Sequence, residues 1–477
     1  MTALGDAAKE GLTPSEYSLS LLQDLLASLQ HQQQAGSALP VDHLTDLDLL
    51  LTDAFLRYSS DLLRGRVSPA VENGAWGAQR ETVDCAHLLQ AALDADDIAG
   101  VLAGLLPSFP AYSRLRQALV RYRALAATGE WPLIPPGAKI TKEDHGPRVS
   151  QLRARLHKEG DLGPEEAAHD AQFDEAVEQA VRRFQARHGL EVDGVVGPRT
   201  RAALNVPAEF RVRQLALNME RWRWLPRNLG ARALVVNIAG FTLDVVEREH
   251  IPLTMKIVVG KPYTRTPVFQ TTVTSVLLNP PWNIPSRIAS KELLPLIRRN
   301  PRYLAQQHIT VLQGWGPRTK IIDPTSVAWS TLSFKAFPYR LRQEPGPWNA
   351  LGRIKFILPN PFTVYLHDTP AHALFTHAVR AFSHGCIRLE KPLDLAVYVL
   401  QGTPWTREAL LSAIAQGDER TIRLPEPLPT YVGYWTAWVE ENGMVHFRSD
   451  LYGRDRKLDR ALPPRASEAE SFGLLRP

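Results

Sequence analysis

The sequence is poor in cysteine and contains no long apolar run. Only 2 of its 477 residues are cysteine, Cys85 and Cys386, so disulfide bonds cannot form a framework in a chain of this length. No stretch of about 18 uninterrupted apolar residues occurs, which argues against a membrane-spanning helix. The N-terminus lacks a basic segment followed by an apolar one, so no secretory signal is visible. We expect two free thiols and no transmembrane segment.

Signatures of nucleic-acid binding are also missing. The chain has 55 basic and 50 acidic residues, a formal net charge of +5, and we expect this mild excess to be spread along the chain. No basic stripe interleaved with aromatic residues and no helix-turn-helix pattern is present. With 44% hydrophobic and 22% charged residues, the composition is that of an ordinary globular protein. The sequence therefore favours anionic surroundings but not a nucleic-acid partner.

The first part of the chain is predicted to be helical. A chain of this length exceeds what one hydrophobic core supports, so several folded units are expected. Residues 1–140 are predicted to form a helical scaffold, because apolar residues recur at helical spacing at 47–62 and 112–122. The proline-rich segment 131–137 is predicted to be a linker. Cys85 lies in the helical region outside any motif, and we interpret it as an inert residue.

Residues 141–206 are predicted to form a separate three-helix module. Phe173, Val177, Val181 and Phe184 recur on one helix face, and the turn DGVVGPRT follows that helix. The segment FDEAVEQAVRRFQARHGLEVDGVVGPRTRAAL resembles the small peptidoglycan-binding module found beside many cell-wall enzymes. The resemblance implies binding to glycan strands, and a helical spacer without a ligand is the alternative.

The second half of the chain is predicted to be rich in β-strands. Short β patterns separated by turn residues begin near Ala233, and residues 207–405 are predicted to form a β-rich domain. A segment at about 285–345 is long for an insertion in a compact domain, which indicates a cap over the site. Residues 406–477 are predicted to close the catalytic and scaffold unit, and a hairpin turning at Asn442 and Gly443 is expected to complete the β unit.

The strongest local signal is a histidine followed by a Ser-His-Gly-Cys turn. A cysteine attacks carbonyl groups as the thiolate, so Cys386 needs a base, and His367 and His384 supply imidazoles. Gly385 permits the strained turn that would point backbone N–H groups at an oxyanion. Arg388 lies two residues beyond the thiol, on the same side of a strand, where it could pair with a substrate carboxylate. This set of residues is typical of acyl transfer.

Two other sites compete for the same residues. A closed structural zinc site requires four ligands, and the only other cysteine lies far away in the sequence. A papain-like protease would place the cysteine before its histidine, whereas His367 precedes Cys386 here. His372 and His377 lie between the two halves of the motif and are interpreted as solvated residues. No metal is expected.

The pattern H-x(15)-S-H-G-C-x-R, with His367 at its head, resembles the L,D-transpeptidase catalytic domain, also called the YkuD-type domain. The stretches NPPWNIP, QEPGPWNALGRIKF, LPNPFTVYLHDTP and RAFSHGCIRLEKPLDLA are similar to the large periplasmic branch of that family. The resemblance implies an α+β multidomain protein, in which a mainly β catalytic domain of the L,D-transpeptidase β-sandwich type accompanies the helical scaffold and the three-helix module. Candidate catalytic residues are Cys386, His367, Gly385, His384 and Ser383. Candidate substrate contacts are Arg388, Tyr365, Trp282 and Asp368.

The resemblance further implies the reaction. Cys386 attacks the carbonyl between the third residue and the terminal D-alanine of a donor stem tetrapeptide, D-alanine leaves, and an amine of a second stem forms a 3→3 cross-link. Water as acceptor would give an L,D-carboxypeptidase, a protein amine would give protein attachment, and a non-catalytic wall-binding scaffold is the alternative from another class. The implied partners are stem tetrapeptides, glycan strands and carbapenem inhibitors, with no cofactor. We expect a periplasmic monomer, and we attribute the missing signal to trimming or a misplaced start.

Overall fold

The protein divides into two compact units. A computed structural model describes residues 1–72, 83–167, 171–248 and 250–462. The first unit is Met1–Leu229 together with Tyr434–Pro477, and the second is Gly230–Gly433. Within the described residues, no helix is both long enough and apolar enough to cross a membrane.

The first unit is helical apart from one small hairpin. Its helices and strands are α1 (Thr2–Gly5), α2 (Leu19–Gln34), α3 (Val41–Arg64), α4 (Cys85–Asp94), α5 (Ile98–Gly104), α6 (Pro110–Ala127), α7 (Pro147–Glu159), α8 (Pro164–Ala167), α9 (Glu175–Arg187), α10 (Pro198–Leu204), α11 (Ala208–Trp222), β14 (Ala437–Val439), β15 (Val445–Phe447) and α17 (Arg454–Ala461). Short 3-10 turns occur at Asp6–Glu10, Pro14–Tyr17 and Pro69–Glu72.

The hairpin of β14 and β15 packs on helices, which corrects the expectation that it completes the β unit. Phe447 and Val439 share one core with Leu115 of α6 and Leu215 of α11. The Tyr122 and Phe447 rings meet edge to face at 5.4 Å. The hairpin is apolar on this face, and the α6–α11 pair offers the matching apolar stripe. Residues 434–462 therefore belong to the helical unit, whereas residues 406–433 belong to the β unit.

The module built on α7, α9 and α10 has its own core. Phe173, Val177, Val181 and Phe184 are fully buried in it, as the helical spacing predicts. The segment at 131–137 is not a free linker, because Ile134 is buried in the same core and the Trp131 indole N–H donates to the Val206 carbonyl at 2.9 Å. The proline-rich segment thus follows the surface of the module and packs against it.

The second unit contains most of the strands. Its elements are β1 (Arg232–Asn237), β2 (Thr242–Glu247), β3 (His250–Gly260), β4 (Phe269–Leu278), β5 (Trp282–Ile284), α12 (Ser286–Ile288), a π-helix (Ala289–Leu293), α13 (Leu294–Arg299), α14 (Tyr303–Gln306), β6 (Ile309–Gln313), β7 (Lys320–Ile322), β8 (Arg340–Gln343), β9 (Ile354–Ile357), β10 (Leu366–His367), β11 (Ala381–Ser383), β12 (Ile387–Leu389), α15 (Pro392–Val399), α16 (Arg407–Gln416) and β13 (Arg420–Gly433). Three 3-10 turns lie at Gly316–Arg318, Pro324–Ser326 and His372–Thr376.

Nine strands form one sheet that closes on itself. The strand order is β11-β3-β12-β10-β9-β4-β13-β1-β2, and an additional pairing of β2 with β3 completes the ring. Most pairs are antiparallel, but β10 runs parallel to β12. This pair brings His367 and Arg388 into register although 20 intervening residues separate them in sequence. The predicted α+β class, with a helical region and a mainly β domain, is confirmed.

The insertion folds as a small layer of its own. A four-stranded sheet of order β5-β8-β6-β7 packs against the helices at 286–306. Their shared core contains Ile284, Ile297, Val311 and Leu341, all buried. The segment between β5 and β8 is therefore an ordered subdomain, which has enough apolar surface to hold its own structure.

Candidate active site

The turn that carries the cysteine is fixed by one serine. The Ser383 hydroxyl donates to the Cys386 carbonyl at 2.5 Å and accepts from the Gly385 N–H at 3.0 Å. Gly385 has φ +119°, a conformation that L side chains rarely adopt, and the Thr266 hydroxyl donates to its carbonyl at 2.8 Å. Ser383 is 2% exposed, so these hydrogen bonds are shielded from water. The turn is thereby held in one conformation.

Neighbouring strands place three side chains in one row. His367 of β10 pairs with Lys355 of β9 on one side and with Arg388 of β12 on the other. Side chains of directly paired residues project from the same face of a sheet. Cys386 lies two residues before Arg388, so the alternation of side chains brings the thiol to this face as well. The sheet thus collects a thiol, an imidazole and two cations.

His367 is held as a neutral imidazole. It is 3% exposed, and burial, together with the cations of Arg388 and Lys355, lowers its pKa from 6.5 to about 3. Its Nδ1 lies 2.5 Å from the carbonyl oxygen of Asp368. A carbonyl only accepts, so Nδ1 carries the proton in this contact, and the Leu351 backbone is a second acceptor for the ring. The ring is in the protonation state that a general base requires.

The Cys386 thiol is protonated in the resting site. Burial raises its pKa, and the Tyr365 backbone N–H and the cations of Lys355 and Arg388 oppose that rise. Its Sγ lies 4.0 Å from the Thr363 carbonyl, an acceptor for the thiol hydrogen. The surroundings therefore hold a neutral thiol but supply donors and charge for a thiolate once the proton is removed.

Asp368 has a local role that its sequence position does not reveal. Its carboxylate accepts from the Arg353 N–H at 2.8 Å and from the Thr369 N–H at 2.7 Å. Its backbone carbonyl holds the His367 ring. The residue therefore orients the His367 ring and fixes the adjoining turn, while its expected contact with the substrate stays a prediction.

His384 connects the cysteine turn to the insertion. Its Nε2 lies 2.8 Å from the Glu292 carboxylate, in the π-helix. The ring is thus directed toward Glu292, so His367 is the better placed base. His372 and His377 are exposed, as expected for solvated residues. Between them and the turn, buried Arg380 donates to the backbone carbonyls of Ile257, His377 and Phe241.

Three family models match the chain. Residues 231–406 match the L,D-transpeptidase catalytic domain, and the matched segment contains every residue of the motif. Residues 231–406 are an L,D-transpeptidase catalytic domain. Residues 145–204 match a family described as "Putative peptidoglycan binding domain", and residues 1–119 match a family described as "Scaffold domain". The family resemblance drawn from the motif is confirmed.

Known proteins with this domain are similar over part of the chain. A protein of Haemophilus influenzae named "Putative L,D-transpeptidase" is 34% identical over 248 residues, which are 52% of this chain. The match spans 49% of that relative, so the chain covers about half of its length. An L,D-transpeptidase from Xylanimonas cellulosilytica is 16% identical, covering 63% of this chain and 100% of that chain, with a TM-score of 0.19. L,D-transpeptidase 3 of Mycobacterium tuberculosis, solved with a faropenem-derived adduct, is 14% identical, covering 42% of this chain and 60% of that chain, with a TM-score of 0.19.

A cavity of the transpeptidase domain opens beside the row of charged residues. It has a volume of about 200 Å³, and Arg388, Trp282, Tyr303, Gln343, Trp348 and Thr369 are among its lining residues. Within the described part of the chain, the buried Nε of Arg388 has no hydrogen-bond partner. Arg388 and Trp282 therefore line the same cavity, and their roles as substrate contacts stay predictions. Tyr365 is not among the lining residues, and the centre of its ring instead lies 3.6 Å from the Lys355 ammonium.

Lys355 is a charged residue beside His367 and Cys386 that sequence reasoning missed. It is the one charged residue in the apolar strand β9, and this exception was the available signal. Burial lowers the pKa of its ammonium. Trp348, which stacks on His308 with ring centroids 3.7 Å apart, was also not singled out. Over the described residues, no group of three or more His, Cys, Asp or Glu side chains is arranged to hold a metal ion.

Proposed function

We propose that the chain is a cysteine acyltransferase that forms 3→3 cross-links between peptidoglycan stem peptides. The observation that supports this most directly is the placing of a neutral imidazole and two cations in one row beside Cys386. That arrangement suits a thiol that must lose its proton only when a carbonyl group is in place. The family match to residues 231–406 supports the same reaction class.

In the proposed acylation step, His367 Nε2 takes the proton of Cys386 as the sulfur attacks the donor carbonyl. The carbon–sulfur bond forms and the bond to the D-alanine nitrogen breaks, and this nitrogen takes up the proton. The backbone N–H groups of His384 and Cys386 are the proposed donors to the oxyanion, since the Gly385 N–H already donates to the Ser383 hydroxyl. The Lys355 and Arg388 cations stabilise the negative charge that develops on sulfur and oxygen.

In the second step a side-chain amine of another stem attacks the thioester. The new amide bond forms, the carbon–sulfur bond breaks, and the thiol regains a proton. Arg388, which lines the cavity and whose buried Nε has no hydrogen-bond partner among the described residues, is proposed to bind a substrate carboxylate there, because a guanidinium matches carboxylate geometry. Trp282 is proposed to form a wall of the same cavity, whereas the insertion is proposed to act as a cap.

Four further proposals accompany this reaction. The module matched at 145–204 holds the enzyme near glycan strands. The protein acts in the periplasm, where its substrate is found, and it acts as a monomer. Carbapenems acylate Cys386, because their strained ring presents a carbonyl to the same nucleophile.

The test is product analysis with purified disaccharide-tetrapeptide as the sole substrate. Cross-linking predicts dimers and free D-alanine by mass spectrometry, both absent with Cys386→Ala. Tripeptide monomers with D-alanine but no dimers would identify a carboxypeptidase instead. A folded parent enzyme that releases no D-alanine would refute the proposal.

A further inference from the structure

The positive charge of the protein is concentrated in the insertion. Residues 285–345 contain ten Lys and Arg residues but only three Asp and Glu residues, a formal net charge of +7. The whole chain carries +5, so the remainder is slightly acidic. The expectation that the basic excess is spread along the chain is therefore wrong. A local field of this strength attracts anionic ligands to the insertion.

A second cavity lies within this basic region. Its volume is about 480 Å³, and it is lined by the cations Arg287, Lys291 and Lys335, by Phe334 and Phe337, and by the hydroxyl of Ser290. Lys291 and Ser290 belong to the π-helix at 289–293, an irregular form that is frequent at functional sites. No carboxylate lines this cavity. It is separate from the cavity at Arg388, with which it shares no lining residue.

The three cations are free to meet a ligand. In the part of the chain that the structure describes, none of them lies within 4.0 Å of an acidic side chain. Lys291 instead places its ammonium 4.3 Å from the centre of the Phe334 ring. A cation held over an aromatic face keeps most of its charge available for an anion. The walls thus combine unpaired positive charge with apolar surface, as in a site for a small organic anion.

We propose that this cavity binds the carboxylates of an acidic stem peptide on a peptidoglycan strand, outside the reaction centre. This inference rests on the proposed function, which brings such strands to the domain. The π-helix that lines the cavity also carries Glu292, the partner of His384 in the cysteine turn. A peptidoglycan strand bound at Lys291 would therefore lie one residue away from Glu292, which contacts His384 of the catalytic motif. The cavity is concave, which suits a peptide end better than a flat lipid surface.

The test compares two charge-matched triple variants. The cavity variant is Arg287→Gln, Lys291→Gln and Lys335→Gln. The control variant is Arg299→Gln, Arg302→Gln and Lys320→Gln, which removes three exposed cations of the insertion outside the cavity. Both are made in the full chain with Cys386→Ala, and their half-saturation for purified sacculi is measured. We expect binding about tenfold weaker for the cavity variant and less than about threefold weaker for the control, from the strength of screened ion pairs.

The ligand chemistry is tested with modified sacculi. Blocking the free carboxylates as methylamides should weaken the parent about as much as the cavity substitutions do, and should not affect the cavity variant further. Equal losses in both triple variants would overturn the site, because only the overall charge would matter. Loss of binding to phosphatidylglycerol vesicles, with sacculus binding unchanged, would assign the cavity to lipid and overturn the proposal.

Turnover separates this inference from the proposed function. With Cys386 retained, the cavity variant should release D-alanine from small disaccharide-tetrapeptide at the parental rate but should show a raised KM for polymeric peptidoglycan. A KM for polymeric peptidoglycan equal to the parental value in the cavity variant would refute the cavity site but not the proposed function. Absence of D-alanine release from the small substrate by the parent would refute the proposed function.

Discussion

Lys355, His367 and Arg388 set the charge state of the catalytic site. The two cations, with burial, keep the His367 ring neutral, and both cations oppose the effect of burial on the Cys386 thiol. A neutral thiol beside a neutral imidazole differs from a preformed thiolate–imidazolium pair, because the proton moves only during attack. The resting cysteine should therefore react slowly with agents that need a thiolate but efficiently with a bound acyl donor.

The first prediction concerns pH. Because the pKa of the folded Cys386 thiol lies above its ordinary value, the thiolate fraction keeps growing beyond pH 9. Alkylation by iodoacetamide should therefore rise about tenfold per pH unit from pH 6 to 9. The rate should have no inflection between pH 5 and 7, because the pKa of His367 is about 3. Rates are measured by mass spectrometry on Cys85→Ala, and a plateau below pH 8 would contradict a raised pKa.

The second prediction concerns Lys355. Lys355→Met keeps an apolar stem but removes the positive charge, so the pKa of Cys386 should rise further and that of His367 should also rise. We expect acylation by a carbapenem to slow about three- to tenfold at pH 7. Lys355→Arg is the matched control, which keeps the charge and should stay close to the parent. Acylation rates are measured by stopped flow. A parental rate in Lys355→Met would show that the charge of Lys355 does not assist acylation of Cys386.

Cys386 and His367 could be proposed from sequence because one local motif contains the nucleophile and a fixed spacing identifies the base. Lys355 could not be proposed from sequence, because a single lysine in a short apolar strand is equally typical of a solvent-exposed edge strand. Its importance depends on the register of β9 with β10, which no local pattern specifies. The engagement of the Asp368 carboxylate by backbone N–H groups was hidden for the same reason.

At the scale of elements, the turn before β12 is the most constrained part of the site. Gly385→Ala adds no close contact, since the nearest atom to a new Cβ is the Arg265 carbonyl oxygen at 3.6 Å. The φ of +119° nevertheless disfavours any side chain, at a cost of about 1–3 kcal/mol. If the turn relaxes, the oxyanion donors move. We therefore predict acylation at least about tenfold slower, measured with thermal unfolding on the same samples.

Gly417→Ala is the control for that substitution. Gly417 ends α16 with φ +83° and open space around its Cα, so alanine there should destabilise by about 1 kcal/mol and leave acylation unchanged. Equal acylation rates in the two variants would mean that the Gly385 conformation does not position the oxyanion donors.

Hydrophobic periodicity predicted the helices well, but it did not predict which unit each segment packs in. The spacing of Tyr112, Leu115, Leu119 and Tyr122 identified the buried face of α6 correctly. The hairpin of β14 and β15 was expected in the β unit, yet it packs on α6 and α11. Alternating apolar residues indicate which face of a hairpin is buried but not which element packs against that face. The insertion likewise has a sheet of its own that its long Pro-rich and Arg-rich sequence did not indicate.

At the scale of the molecule, a buried ion cluster ties the module into the helical unit. Glu159 at the end of α7 lies 2.9 Å from Arg155 and 2.8 Å from Arg187, and the Tyr122 hydroxyl donates to it at 3.0 Å. Burial would raise the pKa of this carboxyl, but the two arginines hold it well below its ordinary range. The module at 145–204 is therefore connected to α6 by the hydrogen bond between Tyr122 and the charged Glu159, in addition to the covalent chain.

Replacing this carboxylate should affect only the unit that contains it. Glu159→Gln removes the carboxylate partner of buried Arg155 and leaves buried Arg187 with Asp161 alone, and we predict a loss of about 3–5 kcal/mol in unfolding free energy of the helical unit. Glu175→Gln, at an exposed pair with Lys142, should change stability by less than about 0.5 kcal/mol. Calorimetry and carbapenem acylation are measured together. A parallel loss of acylation at 25 °C in folded Glu159→Gln would show that the two units depend on each other.

The central claim, that Cys386 is the acyl carrier, is tested most directly by intact-protein mass spectrometry with a carbapenem. The parent and Cys85→Ala should each gain the mass of one drug molecule, because Cys85 lies at the start of α4, outside the catalytic unit. Folded Cys386→Ala should gain nothing, and His367→Ala should gain the adduct far more slowly. An adduct that persists in folded Cys386→Ala, or that is lost in folded Cys85→Ala, would contradict the account.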